Sequence, residues 1–339
     1  MKTDKYDQSG FLVLKAAYAY YIDGKPQSEI ASEMGISITT VSRLIKKAKE
    51  DRIVEFVIRD SLIECLQLGN ELKALFQLKD VIIASGGEEP DEDHTDVSLL
   101  NRGASLSQKM VALEAARYLQ RIIKEDDVLG ITWGSTVYEM INYLNPAQRV
   151  DATFLTLHGS LASCISEWDV RTLVIRLAKA FSGRNFMLLS EALLDSAETA
   201  KLLRRERNIA LLYRMFDRVN ISINGIGSLY PKLDSILAKP NYLPKENVDE
   251  LVTAGAVGDI ALRFFDKSGK ECRTSLVDRT LSIQFDQFLK IPCKITIASG
   301  ERKAHTVYYA LKGGLIDVLI IDKVLASRIL KIAKGLPQE

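Results

Sequence analysis

Four short segments hold the residues with the clearest chemical potential. In Thr132-Trp133-Gly134-Ser135-Thr136 a glycine sits among three hydroxyl side chains, between an apolar run at Val128 to Ile131 and a segment of helical spacing that begins near Val137. A glycine with hydroxyls at a helix N-terminus offers free amides, hydroxyl donors and the positive end of the helix dipole, which together suit a phosphate. Ser and Thr also cap helices where no ligand is present, so both readings of this segment stand. Asn224-Gly225-Ile226-Gly227-Ser228 follows a second apolar run and lets backbone approach a ligand closely, although Tyr230 stands where the third glycine of a dinucleotide fingerprint would fall. Ala254-Gly255-Ala256-Val257-Gly258-Asp259, read as a loop before a strand at Ile260 to Phe264, ends in a carboxylate able to accept from a sugar hydroxyl or to cap a turn. In Ala298-Ser299-Gly300-Glu301-Arg302-Lys303 a strand gives way to a helix, and a cation is placed for a second anionic or polar end of a ligand. Ligands of open α/β sheets gather beyond the carboxyl ends of strands, so the four segments are expected to converge.

A fifth segment, residues 27 to 46, fits the steric demands of a helix-turn-helix. Ala31 is small where two helices cross, Gly35 suits a left-handed turn, Ser37 is a helix N-cap, and Ile30, Met34, Ile36, Val41 and Leu44 form an apolar set for a minicore. The outward face that follows carries Ser37, Thr39, Thr40, Ser42, Arg43, Lys46 and Lys47, with no acid between Ser37 and Lys49. Hydroxyls near the start of such a helix reach base edges or phosphates, and the later cations lie beside the backbone. Double-stranded DNA is the partner this implies. Because one small module contacts few base pairs, a symmetric homodimer or homotetramer is expected.

The remaining positions bound the fold. The chain has 339 residues, 47% hydrophobic and 26% charged, with Lys plus Arg at 45 against 44 for Asp plus Glu. A net charge of +1 gives no overall attraction to a polyanion, so any nucleic-acid surface is local. Cys65, Cys164, Cys272 and Cys293 are scattered without metal-ligand spacing, His94, His158 and His305 lie far apart, and no cofactor motif is seen. No cofactor or metal is expected. The longest apolar runs, such as Val318 to Ile321, are far short of a membrane span, and the polar N-terminus lacks the order of a secretory signal; a cytoplasmic protein is expected.

Phe11, Leu12, Leu14, Ala16, Ala19 and Tyr20 read as the apolar stripe of a first helix, Ile53 to Arg59 as a strand forming the arm of a wing, and residues 60–78 as a linker helix. Thereafter short apolar strands, at Val81 to Ala84, Val128 to Ile131, Phe154 to Leu157, Phe186 to Leu189, Val219 to Ile223, Ile260 to Phe264, Ile295 to Ala298 and Val318 to Ile321, alternate with helical segments. That alternation predicts a largely parallel sheet covered on both faces. The domains expected are a helix-turn-helix over 1–59 and a large α/β domain over 60–339.

The order of these features resembles the SorC family of sugar-responsive bacterial transcriptional regulators. The resemblance covers nearly the whole chain and rests on the helix-turn-helix at 27–46, Leu75-Phe76-Gln77-Leu78, Gly130 to Thr136, Asn224 to Gly227, Gly255 to Ile260 and Ala298 to Ala326. It implies a winged-helix-like reading head joined to a Rossmann-like domain similar in fold to ribose-5-phosphate isomerase and glucosamine-6-phosphate deaminase, serving as a sensor of a sugar or phosphosugar. Carried over by position, it implies that Thr132, Gly134, Ser135 and Thr136 surround an effector phosphate. Asp259 would then meet a sugar hydroxyl, Lys303 the phosphate or a carbonyl-derived oxygen, and Gly225 and Gly227 would line the pocket. Leu319-Ile320-Ile321-Asp322 departs from the family's Leu-Ile-Thr-Asp by one hydroxyl. The alternative is a sugar-phosphate isomerase or deaminase fused to a DNA-binding module, with Asp259 or Glu301 as general base.

Overall fold

The computed structural model describes residues 4–51, 53–54, 62–85, 104–162, 164 and 166–336, with the backbone alone over 4–9. The chain divides into two compact units, Met1–Ile63 and Glu64–Glu339. Among the described residues the smaller one holds three helices: α1 (Asp4–Tyr21), α2 (Gln27–Met34) and α3 (Ile38–Glu50). Helix α2 ends at Gly35, whose φ of 66° turns the chain so that the Gly35 and Ile36 N–H groups bond back to Ser32 and Ala31. Ser37 caps α3 by accepting from the Thr40 N–H at 3.1 Å. Ile30, Ala31, Val41 and Ile45 form one buried cluster, flanked by Met34 and Ile36; Leu44 belongs instead to a second, around Val13, Ala17 and Ala48. Of the stripe expected on α1, the second half holds, Ala16 being buried and Ala19 and Tyr20 packing against the first cluster, and the first half does not. Val13, Ala16 and Ala17 are buried, whereas Phe11, Leu12 and Leu14 are exposed. The helices approach closely enough that small side chains fill the seam. Of the expected wing strand, 55–59 lie outside the described residues, and Ile53 and Val54 form a bend.

The larger unit begins with α4 (Ile63–Phe76), β1 (Asp80–Ala84), α5 (Leu106–Ile122), β2 (Val128–Ile131), α6 (Ser135–Asn142), β3 (Thr153–Thr156), α7 (Val170–Phe181) and β4 (Arg184–Phe186). It continues through α8 (Ala197–Arg205), α9 (Arg207–Phe216), β5 (Ile221–Asn224), β6 (Gly227–Ser228), α10 (Lys245–Thr253), β7 (Ala256–Ile260) and β8 (Arg263–Asp266). It closes with α11 (Leu276–Arg279), α12 (Phe285–Leu289), β9 (Cys293–Ala298), α13 (Ala304–Lys312), β10 (Val318–Asp322) and α14 (Lys323–Ala333). Among the described residues seven strands form one parallel sheet in the order β1-β10-β9-β5-β2-β3-β4. Both faces are covered: Ile131, Ile223, Ile297 and Ile320 pack under α5, α6 and α7, while Leu319, Ile321 and Ala298 face α13, α14 and the small antiparallel sheet β6-β7-β8. Helix α4, expected as a linker, is a layer of this unit: Leu72 is buried, and Glu64 and Glu71 pair with Lys323 and Lys334 of the α14 region.

Two strand readings are corrected. The edge strand is Arg184–Phe186, earlier than Phe186 to Leu189 and exposed at all three positions, so no apolar run marks it. The segment Ile260 to Phe264 is no single strand but the hairpin between β7 and β8, turning at Ala261 and Leu262 with φ of 54° and 61°. Both turn residues are buried and apolar, which hides the turn from a pattern reading. Ala256 to Asp259, read as loop, are accordingly strand β7.

Candidate functional site

From β2 the chain winds outward through β3 and β4, then crosses back to β5 on the other side of β2 and winds outward through β9 and β10. The crevice between the carboxyl ends of β2 and β5 is thus the topological switch point, where ligands of such sheets bind. Thr132, buried after β2, accepts from the Gly225 N–H at 3.2 Å and donates to the Trp133 carbonyl at 3.3 Å. Its hydroxyl braces the first loop to the second beneath the crevice, and this is where the structure places it. Gly134, at φ 137°, is the N-cap of α6; nothing lies within 4 Å of where its Cβ would stand. The first N–H groups of α6 have no intrahelical acceptor, and Ser135 and Thr136 add two hydroxyls beside them.

The second loop reaches the small sheet directly. Gly227 pairs with Asp259 across β6 and β7, and a Cβ on Gly227 would stand 2.0 Å from Asp259 Oδ1 and 2.8 Å from Ser235 Oγ. Glycine is required there by close approach. Asp259 is buried, and its Oδ1 has no hydrogen-bond partner. Burial pushes its carboxyl up to about 7, against the opposing pull of the Leu262 N–H, the Lys303 charge and the Ser235 hydroxyl. Lys303 ends the short 3-10 turn Glu301–Lys303 before α13; beside it Arg302 pairs with Asp234 at 3.6 Å, and the Ser228 hydroxyl bonds Thr306 at 2.9 Å. Gly300 N–H donates to Asp322 at 2.7 Å, so the residue that closes the family-like stretch holds this loop. Hydrogen bonds and strand pairing thus link the first segment to the second, and the second to the third and the fourth. Gly227→Ala will drive the Asp259 carboxylate from its place, and we expect the overpacking to cost about 1–3 kcal/mol, read as a lower melting temperature, together with about tenfold weaker ligand binding by calorimetric titration.

In the smaller unit, Val41, Ile45 and Ala48 are buried on one side of α3. Ser37, Thr39, Thr40, Ser42, Arg43, Lys46 and Lys47 are all exposed. At 100° per residue Thr39, Ser42, Arg43 and Lys46 share one stripe opposite that core, with Thr40 and Lys47 at its margin. Ser37 and Thr40 are engaged with each other at 2.8 Å as part of the cap, and Lys46 lies 3.7 Å from Glu50 on the surface.

A family model described as "Putative sugar-binding domain" matches residues 60–331, and one for sigma-70 region 4 matches residues 15–51, across the three helices. The chain belongs to the SorC family of transcriptional regulators. Among its relatives, the deoxyribonucleoside regulator of Bacillus subtilis is 28% identical over 92% of this chain and 95% of its own length. The sorbitol operon regulator of Klebsiella pneumoniae is 27% identical over 94% of this chain and 98% of its own. The crystal structure of that full-length regulator superposes with a TM-score of 0.72, covering 96% of this chain and all of the other. As a SorC-family member the protein is a DNA-binding transcriptional regulator with a sugar-binding domain, and the isomerase or deaminase reading is not favoured.

Further residues brace or adjoin these segments, and the part that His158 plays carries no signal in the sequence. His158, fully buried after β3, accepts the Trp133 N–H on Nε2 at 3.0 Å and bonds the Gly159 carbonyl through Nδ1 at 2.6 Å, so Nδ1 carries the proton and the ring is neutral. Burial holds its pKa down to about 4. It fixes the backbone of the first loop from below. Asn224 and Thr296, neighbours across β5 and β9, each hold a buried oxygen without a hydrogen-bond partner. Trp133 is half-buried with its ring 5.7 Å from Tyr242, bridging two core clusters. Of the cationic run at Lys201, Arg204, Arg205 and Arg207, Arg204 donates to the Asp278 and Thr280 carbonyls and is structural. His94 lies outside the described residues.

Proposed function

We propose that a phosphosugar occupies the crevice between β2 and β5 and, by doing so, changes the affinity of the α3 face for a double-stranded operator. Its phosphate sits against Gly134, Ser135 and Thr136, with Thr132 as the brace beneath. Its hydroxyls meet Asp259, its charge is balanced by Lys303, and Gly225 and Gly227 leave the room. The observation that carries this reading is the buried, unpartnered Asp259 Oδ1 beside Gly227 of the second segment and within reach of the Lys303 charge of the fourth, an acceptor whose desolvation is left for a ligand to offset. Relatives named for a deoxyribonucleoside and for sorbitol support a small, hydroxyl-rich effector. We infer a cytoplasmic homodimer or homotetramer in which Ser37, Thr39, Thr40, Ser42, Arg43, Lys46 and Lys47 meet DNA, and a sensor rather than an enzyme. Only a ligand with different affinity for two arrangements of the protein shifts the DNA-competent population.

Melting the protein against a panel of free and phosphorylated sugars tests the pocket. A bound effector at 100 times its dissociation constant adds about 2.7 kcal/mol to the stability of the state that binds it. No melting shift and no change in operator affinity across the panel would overturn the reading, and turnover of ribose 5-phosphate would revive the enzyme. On the DNA side, Arg43→Ala with Lys46→Ala is expected to weaken duplex binding and to reduce the slope of log affinity against log salt by about one for each phosphate contact removed. Titrations at several salt concentrations read this directly.

A further inference from the structure

Gln108 lies outside every segment that the chemistry of the sequence singles out. It occupies the first turn of α5, where its backbone N–H donates to the N-cap Ser105 hydroxyl at 3.1 Å. In a Ser-x-x-Gln pattern of this kind the glutamine side chain ordinarily reaches back to its own N-cap. Here it is turned across to another helix: Nε2 donates to Ser135 Oγ at 2.9 Å and to Thr136 Oγ1 at 3.2 Å, 27 and 28 residues away. Those are the two hydroxyls at the start of α6, beside the open space over Gly134.

We propose that Gln108 is the positioning residue that makes this cradle selective for anions, an inference that rests on the anion-binding reading of the crevice. The reason is directional. A hydroxyl has one proton to donate and two lone pairs, and an amide NH2 group only donates. With Nε2 holding a lone pair on each oxygen, neither hydroxyl can spend its proton on Gln108, so both protons are free to turn toward the mouth of the cradle. There they join the unpaired N–H groups of the first turn of α6. A ligand entering over Gly134 then meets a surplus of donors, each hydroxyl keeping one lone pair besides its proton. An oxyanion accepts from all of those donors, a neutral hydroxyl from few of them, and a cation is left with only the remaining lone pairs. Because Gln108 is anchored on a capped helix, this orientation is set before the ligand arrives. Gln108 does not itself touch the ligand in this scheme; it acts through Ser135 and Thr136.

Two variants of nearly equal size separate this role from packing. Gln108→Leu removes the donor, and Gln108→Glu replaces it with an acceptor that captures the hydroxyl protons and adds a negative charge. The probes are inorganic phosphate and ribose 5-phosphate, with ribose as the neutral control, titrated by calorimetry on the full-length protein. Expected is a roughly tenfold loss of affinity for both phosphates in Gln108→Leu, the scale of one hydrogen bond to a charged group, and a larger loss in Gln108→Glu. Melting temperatures without ligand should stay near the parent value, and any response to ribose should be unchanged. Ser135→Ala should cost much less in the Gln108→Leu background than alone, because the two act on one proton; strict additivity would overturn the proposal. Wild-type affinity for phosphate in both Gln108 variants would overturn it while leaving the crevice as the effector site. An amide turned the other way, accepting from the hydroxyls, would show as tolerance of Gln108→Glu, and this too would overturn it. Failure of the parent protein to bind either phosphate removes the anion cradle itself and the proposal with it.

Discussion

Asp259→Asn will stabilise the unliganded protein by roughly 4 kcal/mol at pH 8 relative to the parent and will abolish the response to effector. Burial raises the Asp259 carboxyl from 3.8 to about 7, with the Leu262 N–H, the Lys303 charge and the Ser235 hydroxyl only partly offsetting it. Between those values the native state keeps a proton that the unfolded chain has released. Stability from this group is therefore complete below about pH 4 and is lost as pH rises through 7. The separation sets the size of the effect at about 1.36 kcal/mol per unit. Asn is neutral throughout and carries no such slope. An effector whose hydroxyl donates to Asp259 recovers part of the lost stability only when the carboxylate is ionised, so affinity should rise as pH passes through 7. Parallel stability curves for parent and variant from pH 4 to 8 would sink this.

His158 supplies the opposite slope. Burial holds its pKa near 4 against an ordinary 6.5, and the Gly159 carbonyl and Asp169 only partly counter that. The native state refuses a proton that the unfolded chain accepts, so this contribution is present above pH 6.5 and is lost as pH falls through 4. Between about 4.5 and 6.5 the two slopes have similar size and opposite sign. The two groups together should leave the parent nearly level in that window. Asp259→Asn should expose a stability that falls with acid, and His158→Gln, which keeps an acceptor for the Trp133 N–H, should expose one that rises. Urea midpoints at fixed ionic strength distinguish all three curves.

What the sequence disclosed follows the range over which each feature is determined. The turn at Gly35 and the cap at Ser37 depend on residues within one helical turn, and both appear at the expected places. Strands β1, β2, β3, β9 and β10 were legible because a parallel strand covered on both faces is apolar along its length. The same rule failed where a turn was itself buried: Ala261 and Leu262 lack the Gly, Asn or Asp that marks a hairpin, and the left-handed backbone is held by surroundings that a pattern does not show. Apolarity likewise could not set the phase of the first half of α1, since Phe11 and Leu14 are as hydrophobic as the buried Val13. In the crevice, the glycine and hydroxyl loops announce themselves by composition. Gln108, His158 and Ser235 do not, because their parts depend on tertiary contacts with loops from elsewhere in the chain.

The largest loss of stability is expected from Arg263→Met. Arg263 rises from β8 with its side chain almost wholly buried, and its guanidinium donates to the Ile283 carbonyl at 2.8 Å, the Val277 carbonyl at 3.1 Å, the Ser282 carbonyl at 3.2 Å and Glu271 at 3.3 Å. The stretch it holds lies along the end of β3: Gly159 N–H bonds the Leu281 carbonyl, Ile283 N–H bonds the Leu157 carbonyl, and His158 bridges Ser282. One cation thus ties the small sheet, which carries Asp259, to the strand end that carries His158. Methionine fills much of the volume but leaves the buried Ile283 and Ser282 carbonyls, and the partly buried Val277 carbonyl and Glu271, without their donor, a change in the class that costs about 3–5 kcal/mol. Arg263→Lys keeps the charge, yet its compact ammonium cannot span acceptors arranged for a planar fork, so it should recover less than half of the loss. Pairing Arg263→Met with Glu271→Gln should be less damaging than the sum of the two, because the second change neutralises the carboxylate that the first strands. Additive losses in that cycle would mean that the carbonyls alone, and not the ion pair, set the need for arginine at this position.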